Sequence, residues 1–171
     1  RALGNRIAAL LIYQPAALPP SLLETCDQLA DLGYSVLVVS NGPLRPEDRA
    51  TLCEHASVVL ERPNVGYDFG AYRDGIRHLW SLGHDMSRLI LMNDSTWFPL
   101  RSNDDSLARM EALRVDLVGH VFKSEDKWKG LHDHLESHLL MISRSFLQSE
   151  DFRRFWSRYP MSNDRTTTIA I

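Results

Sequence analysis

Residues 62–76 read RPNVGYDFGAYRDGI, with three glycines, two aspartates, two arginines and an asparagine in fifteen positions. Asn64, Gly66, Asp68 and Gly70 fall at alternate positions within it. Glycine carries no Cβ, so its N–H can approach a ligand closely or its backbone can take a positive φ. A helix that follows such a loop aims its unpaired N-terminal N–H groups at the same spot, which favours a phosphate. The stretch lacks both the Gly-Lys-Ser/Thr of a P-loop and the GxGxxG spacing. A plainer reading gives the glycines to turns, makes Asp68 a helix N-cap, and leaves Arg73 and Asp74 on a solvated helix face.

The run LILMNDSTWFPL (89–100) is apolar until it stops at Asn93-Asp94-Ser95, a carboxylate between two neutral oxygen donors. Hard oxygen ligands of this kind suit Mg²⁺ or Mn²⁺ bridging a diphosphate, and Mg²⁺ often relies on one or two carboxylates plus the substrate's phosphates. Asp94 could equally satisfy turn N–H groups in an Asx-turn. Trp97 and Phe98 suit stacking on a base or sugar, or a place in the core or a lid. In HDHLESHLL (132–140), His134, Glu136 and His138 would share one face of a strand. That arrangement could bind zinc, act as an acid/base group beside a substrate hydroxyl, or be a solvated face. It is not the helical HExxH of metalloproteases, and no GxSxG nucleophile elbow occurs.

These residues need a scaffold, and the chain has the means for one. Its 171 residues suit one domain, and 44% hydrophobic with 24% charged content is that of a globular protein. A net charge of -3, with no basic stripe and no interleaving of aromatic and basic residues, argues against nucleic acid as partner. Cys26 and Cys53 lack CxxC or zinc-ligand spacing and read as reduced thiols of a cytoplasmic protein. The longest apolar run, Ile7 to Ile12, is far short of the ~20 residues a membrane span requires. No signal peptide is visible. The chain opens on Arg1 and ends in the strand-like TTTIAI, so a piece of a longer protein is expected.

Short apolar runs at 7–13, 34–42, 57–61 and 87–93 read as buried strands, with further strands at 115–122 and 136–143. Helices fit between them at 19–33, with Ser21 and Glu24 as a capping box, at 45–56, from the glycine loop through Trp80, at 104–114 and at 149–159. In the last, DFRRFW turns Phe152, Phe155 and Trp156 inward. Alternating strands and helices predict an α/β domain with a mostly parallel sheet and right-handed crossovers. In such sheets ligands bind at the carboxyl ends of the strands. Ser40-Asn41, Asn64 to Asp68, and Asn93-Asp94-Ser95 all fall at predicted strand ends.

In order and spacing, RPNVGYDFGAYRDGI, LILMNDSTWFPL and HLESHLLMISRSFLQSEDFRRFW resemble the rhamnan synthesis protein F family of bacterial cell-surface polysaccharide assembly. The resemblance covers residues from about 7 to 160. It implies a GT-A-like glycosyltransferase domain, a Rossmann-like sandwich credited with rhamnosyl transfer from a dTDP-activated sugar. Asn93-Asp94-Ser95 stands where GT-A enzymes carry DxD, so only its middle residue is acidic; Glu136 and His138 replace the family's usual glutamine and aromatic.

The expected nucleotide-sugar contacts are Tyr13, Asn41, Asn64, Gly66, Asp68, Arg73, Asn93 and Ser95, with Asp94 as the ligand of Mg²⁺ or Mn²⁺. Asp94 and Glu136 are the catalytic candidates, and the base is open among Asp126, Glu136, Glu150, Asp151, Asp164 or a group beyond Ile171. Expected partners are a dTDP-rhamnose-type donor and a glycan or lipid-linked glycan acceptor of a polysaccharide or lipopolysaccharide chain. The expected place is the cytoplasm, or peripherally the inner face of the plasma membrane. One rival is a non-catalytic nucleotide-sugar or carbohydrate-binding module in a GT-A-like shell. Another is a nucleotidyltransferase, which would want a phosphate-gripping lysine that the glycine loop lacks.

Overall fold

The computed structural model describes residues 3–124 and 132–163. The apolar runs of the first half become β1 (Arg6–Ile12), β2 (Ser35–Ser40), β3 (Val58–Glu61) and β4 (Arg88–Asn93). Between and after them come α1 (Pro20–Asp31), α2 (Pro46–His55), α3 (Tyr67–Ser81) and α4 (Ser106–Ala112). The second half gives β5 (Leu117–Gly119), β6 (Phe122–Lys123), β7 (His134–Leu135), β8 (Leu139–Ser143), α5 (Arg144–Leu147) and α6 (Glu150–Arg158).

Among the described residues six strands form one sheet in the order β3-β2-β1-β4-β8-β5, and β6 pairs with β7 in a separate ribbon. The β3-β2-β1-β4 half is parallel. Strand β8 runs antiparallel to both β4 and β5. The order has a consequence for function. From β1 the chain steps outward to β2 and β3, then crosses back to place β4 on the other side of β1. The reversal leaves a crevice at the carboxyl ends of β1 and β4, the place where open α/β sheets bind ligands.

Strands β1, β2 and β4 are buried on both faces, as parallel strands covered by helices must be. Alternate residues feed two cores. Ala8, Leu10 and Ile12 pack with Leu22, Cys26 and Leu29 of α1, Leu52 of α2 and Met110 of α4. Ile7, Ala9 and Leu11 pack with Tyr72, Ile76 and Leu79 of α3 and with Phe152 and Trp156 of α6. Phe69 stacks on Trp156 and Tyr159 at centroid distances of 5.7 and 5.6 Å, which joins the start of α3 to the end of α6. Cys26 and Cys53 are both free thiols, the first buried and the second exposed. Burial, then the charge of Asp27, pushes the Cys26 thiol up to about 12, which makes it inert at neutral pH. No described helix is long and apolar enough to cross a membrane.

Three expectations are corrected. The capping box at Ser21 and Glu24 is absent: Pro19 is the N-cap of α1, and no side chain caps it. Pro20 already satisfies the first helical position, where a missing N–H costs nothing. Asp68 does not cap α3 either; Gly66 does, at φ 79° and ψ 16°. The single strand expected over 136–143 is split, with β7 ending at Leu135 and β8 starting at Leu139. Residues 136–138 turn the chain from the ribbon back into the sheet. The strand-like TTTIAI lies outside the described residues.

Gly70 is fixed by close approach. A Cβ there would stand 2.3 Å from the carbonyl oxygen of Val65, backbone that cannot swing aside. Gly70→Ala is expected to cost roughly 3 kcal/mol, as overpacking does, and to lower Tm by about 6–12 °C for a chain of this size. Thermal melts followed by circular dichroism check this; an unchanged Tm would mean the loop has another conformation.

Candidate functional site

A cleft of about 380 Å³ opens at the β1/β4 switch point, within the range of small-molecule sites. Tyr13 and Gln14 enter it from the end of β1, Asn41 from the end of β2, Asn64 from the loop after β3, Tyr67 and Asp68 from the first turn of α3, and Asn93, Asp94 and Ser95 from the end of β4. Seven of the residues expected from sequence therefore share one cavity: Tyr13, Asn41, Asn64, Asp68, Asn93, Asp94 and Ser95.

Both carboxylates and two of the asparagines are held by the fold. The Asp94 N–H donates to the Leu11 carbonyl at 3.0 Å, continuing the β1–β4 ladder one step past the strand. Its Oδ2 then accepts from the Tyr13 N–H at 2.7 Å and from Gln14 Nε2 at 2.8 Å. Asp94 thus ties the β1 exit to the β4 exit with one carboxylate oxygen, and its Oδ1 accepts no hydrogen bond among the described residues. Asp68 repeats the pattern: Oδ2 accepts from Asn93 Nδ2 at 2.8 Å and from Ser137 Oγ at 2.7 Å. Two carboxylates, Asp68 and Asp94, consequently line one cleft. Both charges, after burial as the first cause, push the Tyr72 hydroxyl well above its usual range, so Tyr72 stays protonated and donates to the Ser137 carbonyl at 2.9 Å.

Arg62, which no sequence pattern marked, organises the other wall. Its side chain is buried, 7% exposed. It donates from Nε to Asp74 Oδ2 at 2.6 Å, from one terminal nitrogen to the Val65 carbonyl at 2.6 Å, and from the other to Asn41 Oδ1. One planar guanidinium therefore joins α3, the glycine loop and the end of β2, which a point charge could not do. Asp74 is accordingly an ion-pair partner and not part of a solvated face. Asn41 is 4% exposed and is oriented by Arg62, with Nδ2 near the Tyr67 carbonyl at 3.5 Å.

Other expected residues lie elsewhere. The Gly66 N–H donates to Asn163 Oδ1 at 3.0 Å, and the Tyr67 hydroxyl donates to the Asn163 carbonyl at 3.0 Å, so the segment after α6 straps the glycine loop. Arg73 lies on α3 away from the cleft lining, with a buried Nε that lacks a partner among the described residues. Glu150 and Asp151 occupy the first turn of α6, and Asp151 pairs with Arg154 at 2.6 Å. Asp126 and Asp164 lie outside the described residues. Phe98 is core, whereas Trp97 is 79% exposed.

Glu136 is also outside the cleft lining. It contacts Lys123 of the ribbon and faces His134 at 3.9 Å and His138 at 3.7 Å. The His138 Nδ1 lies 3.4 Å from Asn93 Nδ2, so the ribbon connects to the cleft through this ring. The Lys123 hydrogen bond, then its charge and those of the two histidines, hold the Glu136 carboxyl below its ordinary range. A carboxyl so lowered is a weaker proton acceptor at neutral pH. Its stabilising contribution is complete above the ordinary glutamate pKa and is lost as pH falls through the lowered folded value. Glu136→Gln should therefore flatten the acid limb of a Tm–pH curve between about pH 5 and 3. A variant whose acid limb matches the wild type would show that this contact carries no stability. Among the described residues no three His, Cys, Asp or Glu side chains gather as a metal-holding group.

This architecture is an α/β fold with a mostly parallel central sheet, and a known enzyme shares it. The solved structure of a 4-diphosphocytidyl-2C-methyl-D-erythritol synthase superposes with a TM-score of 0.54 over 96% of this chain and 84% of that one. At 11% identity this likeness concerns the fold alone. The chain itself belongs to the rhamnan synthesis protein F family, which matches residues 36–171. It is also 37% identical over 163 residues to the uncharacterized protein y4gN of Sinorhizobium fredii. That match takes in 95% of this chain and 42% of the relative, so the chain spans about two fifths of that protein's length.

Proposed function

We propose that this domain binds a nucleotide-diphosphate sugar in the β1/β4 cleft and transfers the sugar to a growing cell-surface polysaccharide. The observation that carries the reading is the convergence of Asn41, Asn64, Asp68, Asn93 and Asp94 at the switch point of a parallel sheet. Membership of a rhamnan synthesis family supports rhamnose as the sugar and dTDP-rhamnose as the donor. The nucleoside lies along Tyr13 and Asn41, and the diphosphate reaches towards Asp68, Asn93 and Asp94. Transfer inverts the anomeric centre: the acceptor oxygen bonds to the anomeric carbon, the bond to the diphosphate oxygen breaks, and the nucleoside diphosphate leaves. The hydroxyl proton passes to a base, for which Glu136 fits poorly because Lys123 lowers its basicity. The acceptor is a glycan or lipid-linked glycan, of an O-antigen or a related polymer, met in the cytoplasm at the inner membrane face.

Two carboxylates beside a diphosphate repel it unless a cation intervenes. The oxygen donors present suit Mg²⁺ or Mn²⁺: Asp94 and Asp68 would hold the ion, and it would neutralise charge on the leaving diphosphate. The chain's own residues set where that charge sits, Arg62 by fixing the loop and Asn93 by fixing Asp68.

The test is calorimetric titration with dTDP-rhamnose, UDP-glucose and GDP-mannose, each with and without Mg²⁺ or Mn²⁺, followed by donor hydrolysis. Absence of binding to all of them would sink the reading. A second reading, a nucleotide-sugar-binding module without turnover, is favoured by the single acidic residue in Asn93-Asp94-Ser95. Tight donor binding with neither hydrolysis nor transfer would select it.

A further inference from the structure

Beside the cleft lies a second pocket of about 280 Å³. It is built on the same turn: Ser95 lines the cleft, and the next residue, Thr96, lines the pocket. His120, Leu139, Arg101, Asp105 and Arg109 line it as well. Trp97 borders it and is the most exposed large apolar side chain among the described residues.

Trp97 sits between two neighbours that the fold holds in place. Thr96 Oγ1 donates to the His138 carbonyl at 2.9 Å. Phe98 is 5% exposed in the core, and its carbonyl accepts from the buried Thr25 hydroxyl. Both neighbours are fixed, and the indole between them is 79% exposed. The floor of the loop is fixed too, because Asp104 accepts from the Leu100 N–H at 3.0 Å and the Ser106 N–H at 2.9 Å. What remains is an exposed aromatic side chain at the edge of a pocket with both charge signs and hydroxyl donors. Mixed charge does not select a second phosphate. It suits a neutral polyhydroxyl ligand, whose hydroxyls donate to carboxylates and accept from guanidinium groups. A pyranose also has an apolar C–H face that packs on an indole, a large rigid surface held at little entropic cost.

We propose that this pocket binds the saccharide acceptor, a neutral sugar stacked on Trp97 with its reactive hydroxyl directed past Thr96 towards the donor cleft. The inference rests on the transferase reading for the word acceptor, but the pocket's ligand class rests on Trp97 and its surroundings. Substrate and donor then occupy the two sides of one turn, residues 93–97.

The experiment follows the indole N–H signals of the whole chain by NMR during titration with methyl α-L-rhamnoside and a rhamnose disaccharide, with dTDP, UDP and GDP titrated in parallel. The expected result is a saccharide-dependent shift of the Trp97 indole signal. Trp97→Ala should weaken saccharide binding about tenfold or more, the scale of a lost aromatic stack, and change nucleotide affinity by less than about twofold. Trp97→Phe should keep most of the saccharide affinity. Saccharide binding unchanged in Trp97→Ala overturns the proposal, as does nucleotide binding with no saccharide binding. A Trp97→Ala defect seen only with anionic liposomes overturns it in favour of a membrane contact. Trp97-dependent saccharide binding without nucleotide binding upholds the pocket and removes the transferase reading instead.

Discussion

Arg62→Met is expected to damage nucleotide binding more than removal of most residues that line the cleft. Its guanidinium is buried and satisfies three acceptors at once: Asp74, Asn41 and the Val65 carbonyl. Methionine fills similar volume but donates nothing, so Asn41 Oδ1 and the Val65 carbonyl lose their partner. Removing one member of a buried charged network costs about 3–5 kcal/mol when the remainder stays dry. Asp74 is 37% exposed and can rehydrate, which places the expected loss nearer to about 3 kcal/mol. The larger effect is positional. Asn41 and the glycine loop both line the cleft, and both take their orientation from this one side chain, so donor affinity should fall about tenfold or more. Arg62→Lys should rescue little, because an ammonium cannot bridge three acceptors in a fork. The control is Arg49→Ala: Arg49 meets Glu61 at 2.9 Å on the surface, and its loss should cost below about 0.5 kcal/mol. Urea unfolding and donor titration of the three variants check this. Equal behaviour of Arg62→Met and Arg49→Ala would remove Arg62 from any organising role.

That Arg62 escaped sequence reading has a physical reason. Residues 7–12, 35–40 and 88–93 carry long apolar signals because both of their faces are buried, and they became β1, β2 and β4. Strand ends follow from strands, so the gathering of Asn41, Asp68 and Asp94 at one edge was legible once the sheet was. A buried arginine has no such signature. It sits next to Pro63 like any loop residue, and its burial depends on Asp74, twelve positions on, turning inward. The ribbon was hidden for a similar reason. Residues 136–138 read as part of one strand with 139–143, but Glu136 is drawn to Lys123 of β6, and the chain turns there. The capping box failed because it fits the local sequence while Pro19 and Pro20 fit it better. The strap at Asn163 rests on pairs ninety-six and ninety-seven residues apart, which no local pattern encodes.

The two cleft carboxylates give the most discriminating result, because the sign of their effect should depend on the cation. With Mg²⁺ present, Asp94→Asn should weaken donor binding about tenfold to a hundredfold, the scale of one lost charge-assisted contact. Without it, the same variant should bind the donor as well as the wild type or better, since a carboxylate that faced the diphosphate has gone. Asparagine keeps an oxygen that can accept from the Tyr13 N–H, now at 2.7 Å from Asp94 Oδ2, so the β1 exit stays tied. Asp68→Asn should follow the same sign rule, since asparagine again keeps an oxygen that can accept where Oδ2 does. Its Oδ2 accepts from both Asn93 and Ser137, and neither donor has another carboxylate to turn to among its described partners. Donor titrations with and without Mg²⁺, on the wild type and both variants, separate the cases. If Asp94→Asn weakens binding equally in both conditions, the carboxylate accepts directly from a donor hydroxyl and no cation joins it to the diphosphate. If neither substitution changes affinity in either condition, the donor does not bind at the β1/β4 switch point. The cation-dependent outcome is the expected one, because both carboxylates line the same polar cleft and each is held to the protein through its Oδ2.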